Sequence, residues 1–398
     1  MDFSVLWYIP VFIVSLVFVA IVIPSIVMVA NKINLFDVQD GRKVHKGNIP
    51  RLGGISFLPA ILFTLLVVVA VMTRVLPSEI HGLYYIPITE IMMAAAGCVI
   101  LYLVGIMDDV IGVSYKSKFI LQLMAAGLIC SSGLYISDLY GVLGIHKLHP
   151  VFGVPLTLVI IVFIINSINL IDGIDGLASG LCIWGGIGYA LMFYYLNMDM
   201  NLVLAVSMLG VLLMFYLYNV FGKPGVSKIF MGDTGSLTIG FILAFFAVKL
   251  CCFNQFEVGE PLTGRMLFVY AISVIFVPVM DVFRVFFARI LDGKSPFFPD
   301  KRHIHHKFLA MGLSMRQARW TIFAMSFFFL MMNILLAFIL KTNMNVVILA
   351  DLAVWIAINM AISSRVRKLK LQNDEVAARF EDVGNDRIWH RRNKRFHK

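Results

Sequence analysis

The chain has 398 residues, of which 60% are hydrophobic and only 14% are charged. Soluble domains average nearer half apolar and a quarter charged, so this composition excludes an ordinary soluble globular protein. Several apolar stretches of about eighteen or more residues lack a charge, and each is long enough to cross a bilayer core of about 30 Å. The composition therefore predicts an all-α integral membrane protein.

The apolar runs between charged residues predict about eleven transmembrane helices. The first run has no basic segment before it and no small-residue cleavage site before Asn31, which predicts a retained helix and not a signal peptide. The five cysteines lie in or at the ends of these runs without C-x-x-C spacing, which indicates apolar filler and not a zinc site. The predicted spans are 5–30, 52–72, 89–106, 119–136, 154–168, 177–196, 202–221, 235–252, 266–287, 320–340 and 346–362.

Lysine and arginine predict the orientation of these spans. If the N-terminus is outside, 28 of the 33 basic residues fall on the inner side and five on the outer side. Because cytoplasmic loops carry such an excess, we predict an outside N-terminus and a cytoplasmic C-terminus. The same bias accounts for the net charge of +10 without a nucleic-acid partner.

The chain divides by composition into a membrane domain over residues 1–365 and a basic tail over residues 366–398. Two interpretations of the tail stay open. It lies against anionic lipid headgroups, or it is a solvated segment whose charge sets the topology.

The chemically rich residues all fall in predicted inner loops. Asp108 and Asp109 end the third span and are followed by Lys116 and Lys118. Adjacent carboxylates at a membrane surface repel each other unless water, a cation or a lysine offsets the charge. The pair therefore predicts a group that handles Mg²⁺ or phosphate, with a solvated helix end as the alternative.

A second inner segment, NSINLIDGIDG, covers residues 166–176. Asn166 and Asn169 share a helix face, and the glycines let a loop with Asp172 and Asp175 turn close to a ligand. The twelve-residue ligand spacing of an EF-hand is absent. A plain loop does not explain four polar residues spaced three apart beside hydrocarbon, so the segment predicts ligand binding.

The third segment, FMGDTGS, covers residues 230–236 and opens the eighth span. Asp233 is therefore near a helix N-terminus, either as an ordinary N-cap or as part of an anion-handling site. The candidate ligands are hard oxygen atoms and include no thiolate. They therefore favour Mg²⁺, bound together with substrate phosphates, and disfavour zinc. The oxygen-rich set facing one compartment comprises Asp108, Asp109, Asn169, Asp172 and Asp233.

The fourth segment, PDKRHIHH, covers residues 299–306. Its histidines, His303, His305 and His306, lie beside Arg302 and two lysines. Arginine and histidine both donate to phosphate oxygens, which favours a pyrophosphate clamp. A zinc site is disfavoured by the neighbouring cations, and a solvated loop is the third interpretation.

Two ionisable features lie inside predicted spans. Asp281 and Arg284 are three residues apart, which predicts a local ion pair on one helix face. Asp351 lies near the outer end of the last span, where we expect it to reach water.

Taken together, these segments resemble the polyprenyl-phosphate N-acetylhexosamine-1-phosphate transferases over about residues 1–365. The order H-I-H-H resembles the bacterial branch that starts O-antigen, common-antigen or teichoic-acid chains and typically uses UDP-GlcNAc. The matching elements are HKGNIPRLGG (45–54), Asp108 with Asp109, NSINLIDGIDGL (166–177), IFMGDTGS (229–236) and SPFFPDKRHIHH (295–306).

The resemblance implies a Mg²⁺-dependent transfer of N-acetylglucosamine-1-phosphate from UDP-GlcNAc to undecaprenyl phosphate, with release of UMP. Mn²⁺ is an alternative cation. The resemblance also implies a multi-pass protein of the bacterial cytoplasmic (inner) membrane, with a cytoplasmic active site in contact with the lipid bilayer, and it suggests a homodimer.

Carried over by position, the resemblance implies separate roles for the polar residues. Asp233 matches the metal ligand, helped by Asn169. Asp108 and Asp109 match the pair that binds or deprotonates the lipid phosphate, and Lys118 matches a phosphate-contacting lysine.

The remaining matches concern substrate binding. Asp175 and Phe230 match positions that hold uracil, by a hydrogen bond and by stacking. Lys46 and Arg51 fall in a loop that contacts the lipid phosphate or the sugar. Asn166, Asp172 and Arg302 complete the substrate-binding set, while the three histidines join the catalytic set as the positive side of the phosphate site.

Two other functions are alternatives to the transferase. An intramembrane prenyltransferase would need paired D-x-x-x-D elements, and residues 108–112 do not supply that spacing. An ion-coupled transporter places carboxylates near the bilayer midplane on broken helices, whereas most acids here are at the inner ends of predicted helices.

Overall fold

A computed structural model describes residues 6–33, 49–75, 88–253, 262–295 and 302–382. Within these ranges the chain is almost entirely helical, which confirms the all-α prediction. A short antiparallel hairpin, β1 (Asp138–Val142) with β2 (Ile145–Lys147), was not predicted. It contains too few residues to register as an alternating apolar pattern.

The helices follow the apolar runs. A short 3₁₀ turn, Gly53–Ser56, precedes the second helix, and a π-helical segment, Ile334–Ile339, continues the twelfth. The helices are α1 (Tyr8–Lys32), α2 (Phe57–Val75), α3 (Ile88–Ile111), α4 (Tyr115–Ser131), α5 (Pro150–Ile171), α6 (Leu177–Tyr195), α7 (Asp199–Phe221), α8 (Gly232–Cys251), α9 (Gly264–Val274), α10 (Phe276–Leu291), α11 (Ile304–Ala310), α12 (Met315–Asn333) and α13 (Met344–Asp382).

Eight helices in the described part of the chain are long and apolar enough to cross a membrane, and the bent pair α9–α10 brings the number to nine. The protein is therefore a multi-pass membrane protein. The predicted spans 52–72 and 119–136 also fall on helices, α2 and α4, which lie outside that count. The total of eleven spans and the outside N-terminus stay predictions.

The predicted span 266–287 is wrong as a single helix. The segment forms α9 and α10, which break at Ile275 and are bent by 69°. Pro278 lies in the first turn of α10 and has no N–H to donate back along a continuous helix. Its ring also takes the space of the carbonyl four residues earlier, at Val274, where α9 ends.

The expectation that Asp351 reaches water is also wrong. Asp351 is buried, and Asn333 donates from its Nδ2 to Asp351 Oδ2 at 3.1 Å and to Ser273 Oγ at 2.8 Å. The three side chains connect α13, α12 and α9 inside the bundle. The sequence gives no sign of this contact because the partners are far apart along the chain.

Helix α8 lies at the centre of the bundle, between α3 and α5. Eighteen of its 20 residues are buried, and only Asp233 and Lys249, close to its two ends, are partly exposed. Lys249 Nζ lies 2.6 Å from Glu90 Oε2 at the start of α3, so an ion pair joins the two helices at that end. Asp233 marks the opposite end.

Gly105 allows α3 to lie directly against the first turn of α8. A Cβ atom at this position would come within 2.3 Å of the Cα of Thr234. Small residues permit such close helix contacts in membranes. Asp108 and Asp109 follow one turn later on α3, so this contact brings their carboxylates beside Asp233.

We expect Gly105→Ala to force α3 away from α8 and to lower the free energy of unfolding by about 1–3 kcal/mol, as is usual for over-packing. Thermal unfolding in detergent measures the effect. Gly127→Ala in α4 is the matched control, because no atom lies within 4 Å of the added Cβ and alanine favours a helix over glycine. Equal unfolding temperatures for the two variants would contradict the close contact.

Candidate active site

Acidic residues from three separate segments meet where α3 and α5 end and α8 begins, which we call the polar end of the bundle. Asp108 comes from the last turn of α3, Asp172 follows α5, and Asp233 is in the first turn of α8. These carboxylates were predicted to face one compartment. The structure places them at one end of the bundle.

Lys118 lies between two of these carboxylates. Its Nζ is 2.5 Å from Asp108 Oδ2 and 3.4 Å from Asp233 Oδ2. The ammonium group therefore offsets the repulsion between the negatively charged carboxylates of Asp108 and Asp233. The other oxygen of Asp108 accepts a hydrogen bond from the backbone N–H of Val113 at 2.6 Å.

Asp109 has different contacts from Asp108, although the sequence treats them as a pair. Its two oxygens accept hydrogen bonds from the backbone N–H groups of Asp233 and Thr234, at 2.8 and 2.9 Å, and from the Thr234 hydroxyl at 2.6 Å. The first N–H groups of a helix have no partner within the helix. Asp109 therefore caps α8 from a neighbouring helix, and its negative charge faces the positive end of the helix dipole.

Asn169 orients the carboxylate of Asp233. Its Nδ2 donates to Asp233 Oδ1 and also to Ser236 Oγ, the latter at 2.9 Å. Because a carboxylate only accepts hydrogen bonds, the amide nitrogen of Asn169 must face Asp233. Its Oδ1 is then the atom of this side chain that can bind a cation.

The donors at the polar end fit Mg²⁺ shared with a substrate. In the described ranges, no group of three or more His, Cys, Asp or Glu side chains is arranged to hold a metal by itself. Mg²⁺ is usually held by one or two carboxylates together with substrate phosphates and water, so a complete protein cage is not required. Asp233, with Asn169 beside it, supplies hard oxygen donors of this kind.

Asp172 lies at the polar end of the bundle, directly after α5. The side chain is exposed, but nearby protein desolvates the carboxyl and raises its pKa to about 7. The positive charge of Arg51 opposes this shift, and the negative charges of Asp233, Asp175 and Asp109 add to it. Proton uptake by Asp172 therefore occurs near neutral pH.

The loop that carries Asp175 is held by residues that sequence reasoning missed. Lys228 Nζ lies 2.5 Å from Asp175 Oδ2, and Arg319 Nη1 donates to the Asp175 carbonyl at 2.7 Å. Asn219 accepts from the Gly176 N–H at 2.7 Å. Lys228 could have been found, because it directly precedes the IFMGDTGS segment. Arg319 and Asn219 stand at the ends of apolar runs without a local pattern.

The segment before α2 pairs with the segment before α8. The Phe230 N–H donates to the Pro50 carbonyl at 2.8 Å, and the Gly53 N–H donates to the Phe230 carbonyl at 2.9 Å. Arg51 is thereby placed at the polar end, and the half-buried Phe230 lies next to it along this pairing. Lys46 lies outside the described residues.

Asn166 belongs to a contact between helices. Its Nδ2 donates to Gln122 Oε1 at 2.7 Å and to the Val162 carbonyl at 2.7 Å. Gln122 is in α4, so this partly buried pair joins α4 to α5, one helical turn before Asn169. Substrate binding at Asn166 stays a prediction.

The histidine segment packs on the loop that carries Asp172 and Asp175. His303 and His305 are buried. A Cβ atom at Gly173 would lie within 2.2 Å of His305 Nε2, so the ring rests directly on this glycine. Burial lowers the pKa of His305 to about 3, with the charges of His306 and His303 adding to the shift, so the ring is neutral at physiological pH.

The two remaining members of this segment are more exposed. The ring of His306 is 4.1 Å from that of His305, centroid to centroid. Arg302 Nη1 lies 2.5 Å from Asp292 Oδ2, an ion pair with both side chains partly exposed. His305 therefore adds no positive charge to this segment, whereas the guanidinium of Arg302 does.

Comparison with known proteins agrees with this arrangement. Residues 91–251 match the family model described as Glycosyl transferase family 4. A probable undecaprenyl-phosphate N-acetylglucosaminyl 1-phosphate transferase of Bacillus subtilis is 32% identical over 326 residues, which cover 80% of this chain and 82% of that protein. The chain belongs to the polyprenyl-phosphate N-acetylhexosamine-1-phosphate transferase family.

Further relatives support the same family. Undecaprenyl-phosphate alpha-N-acetylglucosaminyl 1-phosphate transferases of Escherichia coli O157:H7 and Yersinia pestis are each 32% identical, over 299 and 296 residues, with 73% of both chains covered in each case. The protein is therefore a sugar-phosphate transferase, and the family resemblance predicted from the motifs is confirmed. The alternatives of a prenyltransferase and an ion-coupled transporter are set aside.

We expect Asp109→Ala to destabilise this transferase more than Asp108→Ala. The first change removes the acceptor for two helix N–H groups, and losing a cap costs about 0.5–2 kcal/mol. The second removes one backbone contact outside a helix and leaves Lys118 paired with Asp233. Thermal unfolding of the two variants in the same detergent compares them. A lower unfolding temperature for Asp108→Ala would contradict the capping role of Asp109.

Proposed function

We propose that the protein transfers N-acetylglucosamine-1-phosphate from UDP-GlcNAc to undecaprenyl phosphate and releases UMP. The observation that carries this proposal is the placement of Lys118 between Asp108 and Asp233 at the end of a membrane bundle. A head group that carries a phosphate can reach this level while its hydrocarbon tail stays in the bilayer. The relatives are named for undecaprenyl phosphate and for the N-acetylglucosaminyl 1-phosphate group, which supports the proposed acceptor and the proposed transferred group.

In the proposed reaction, an oxygen of the lipid phosphate attacks the phosphorus that is linked to the sugar. The new P–O bond joins the lipid phosphate to the sugar phosphate, and the bond to the uridine-bearing phosphate breaks, so UMP leaves. Asp108 is placed to accept a proton from a protonated lipid phosphate. The ammonium of Lys118 offsets the repulsion as the two anionic substrates approach.

Asp233 and Asn169 would hold the Mg²⁺, with Mn²⁺ as an alternative cation. When bound there, the cation neutralises charge on the diphosphate and on the leaving phosphate. Asp109 contributes by holding the first turn of α8, which carries Asp233, in place. The roles of Asp108 and Asp109 are therefore separate in this proposal.

The donor nucleotide would lie between the remaining loops. Asp175 and Phe230 are assigned to uracil, and Arg51 and Asp172 are assigned to substrate binding at the same end of the bundle. His306 and Arg302 would donate to phosphate oxygens. His305 is neutral and buried, so we assign it to packing and hydrogen bonding and not to charge compensation.

We also propose the cellular setting. The positive-inside rule puts the polar end on the cytoplasmic side of a bacterial inner membrane, with the N-terminus outside. UDP-GlcNAc is a cytoplasmic metabolite, so this side is the one that the donor requires. The lipid product would start an envelope polysaccharide such as O-antigen or teichoic acid, and a homodimer is the proposed assembly.

The purified protein is expected to convert radiolabelled UDP-GlcNAc and undecaprenyl phosphate into labelled lipid and UMP when Mg²⁺ is added. Asp233→Asn should lose at least about 100-fold in rate, since the carboxylate charge opposite the cation is removed. Asp199→Asn is the control, because Asp199 bonds to the Tyr8 hydroxyl at the other end of the bundle. Absence of labelled lipid with the unmodified protein would refute the proposed reaction.

The reaction should lose rate in acid because of Asp172. With a pKa of about 7, this carboxyl takes up a proton as the pH falls below neutral, and its negative charge is lost from the site. The kcat/KM for UDP-GlcNAc should then fall about tenfold per pH unit between pH 7 and 6. Below this range Asp108 adds to the loss, because burial raises the pKa of its carboxyl to about 6. Initial rates between about pH 5.5 and 8.5 measure this limb.

Two variants test whether Asp172 causes the acid limb. The asparagine side chain in Asp172→Asn cannot take up a proton. The kcat/KM of this variant should be lower than that of the unmodified protein and should vary little around pH 7. Asp199→Asn should keep the profile of the unmodified protein. If kcat/KM of Asp172→Asn still falls below pH 7 as it does in the unmodified protein, another group causes the acid dependence.

A further inference from the structure

Asp281 makes a buried contact that reaches beyond its own helix. It has no exposed surface, and Arg284 Nη2 donates to its Oδ1 at 2.6 Å, which confirms the predicted local pair. The same carboxylate also bonds to His303 Nδ1 at 2.9 Å and accepts from the Ile304 N–H at 3.0 Å. The pair in α10 is therefore an anchor for the start of the histidine segment.

Arg284 strengthens this anchor. The Nη2 that faces Asp281 also donates to the carbonyl of Arg302 at 2.7 Å. Residues 302, 303 and 304 are thus each tied to α10 by a hydrogen bond.

The contact with Asp281 fixes which nitrogen of His303 carries the hydrogen. Arg284 and Ile304 donate to the carboxylate, so Asp281 acts as an acceptor throughout and His303 Nδ1 is the donor. The Nε2 of His303 is then the ring atom that faces other groups. A carboxylate that orients a functional histidine in this way controls its tautomer as well as its position.

The anchored histidine supports the next one. The rings of His303 and His305 lie parallel within 6°, with centroids 6.0 Å apart. Both nitrogens of His305 lack a hydrogen-bond partner among the described residues, and its Nε2 faces Gly173. A series of contacts therefore runs from Asp281 through the two rings to the loop that carries Asp172 and Asp175.

We propose that Asp281 is a positioning residue of the transferase. It holds His303 with the hydrogen on Nδ1 and keeps the histidine segment seated on the Asp172 loop, so that the donor nucleotide meets a preformed site. The inference rests on the proposed function for its kinetic consequence. The predicted tautomer of His303 does not depend on which sugar nucleotide the protein uses.

The kinetic test uses Asp281→Asn in the full-length protein. The asparagine Oδ1 must accept from Arg284 and Ile304, so its Nδ2 faces His303 and reverses the tautomer. We expect kcat/KM for UDP-GlcNAc to fall about 10- to 100-fold, the size seen when the partner of a functional histidine is removed. The KM for undecaprenyl phosphate should stay unchanged, because the contacts that the structure describes for Asp281 include neither Lys118 nor Asp108.

The tautomer is read by ¹⁵N NMR of protein labelled at histidine, with the His303 signals identified by their loss in His303→Gln. The unmodified protein should show hydrogen on Nδ1 of His303, and Asp281→Asn should show it on Nε2. This measurement needs no substrate. It therefore separates failure of the positioning role from failure of the proposed reaction, which the unmodified protein tests in the transfer assay.

Asp351→Asn is the matched control, since Asp351 is also a buried carboxylate within a helix but contacts Asn333 and not the histidine segment. It should keep the kinetics and the His303 tautomer of the unmodified protein. If Asp281→Asn fails to fold, the double change Asp281→Asn with Arg284→Gln leaves no unpaired charge buried and should give the same kinetic loss. An unchanged tautomer together with unchanged kcat/KM would overturn the proposal.

Discussion

The capping of α8 by Asp109 is the contact on which the polar end depends. A helix that begins inside a protein must find acceptors for its first N–H groups, and water is scarce where the helix is surrounded by other helices. Asp109 supplies those acceptors from α3. The same contact sets the position of Asp233, because this residue provides one of the two N–H groups. Stability and chemistry therefore share one carboxylate.

Two further contacts stabilise the acidic residues at the polar end. Lys118 offsets part of the negative charge of Asp108 and Asp233, and Asn169 orients Asp233 by donating to one of its oxygens. Each contact joins a different pair of helices. The acids are thus held in a fixed arrangement before substrate binds, and charge stabilisation then needs little reorganisation. Such preorganisation explains why this chemistry can be built at helix ends.

The sequence predicted the membrane class, most of the helices and the acidic segments, because apolar runs and helix-end residues are local signals. Gly105, by contrast, carries no motif, although it lets α3 approach α8. The separate roles of Asp108 and Asp109 were hidden as well, since neighbours in sequence share every local property and differ only in what they contact. Lys228 and Arg319 were missed because each contacts the Asp175 loop from a distant part of the sequence. The bend at Ile275 was missed because Pro278, within an apolar run, was read as part of one span.

The ion pair between Lys249 and Glu90 has a mechanical consequence. Helix α8 is fastened to α3 at both of its ends, by this pair and by the Asp109 cap. Neither helix can shift or tilt relative to the other without breaking one of these two charged contacts. An opening that admits a lipid substrate must therefore come from helices other than α3 and α8, while the carboxylates at the polar end keep their spacing.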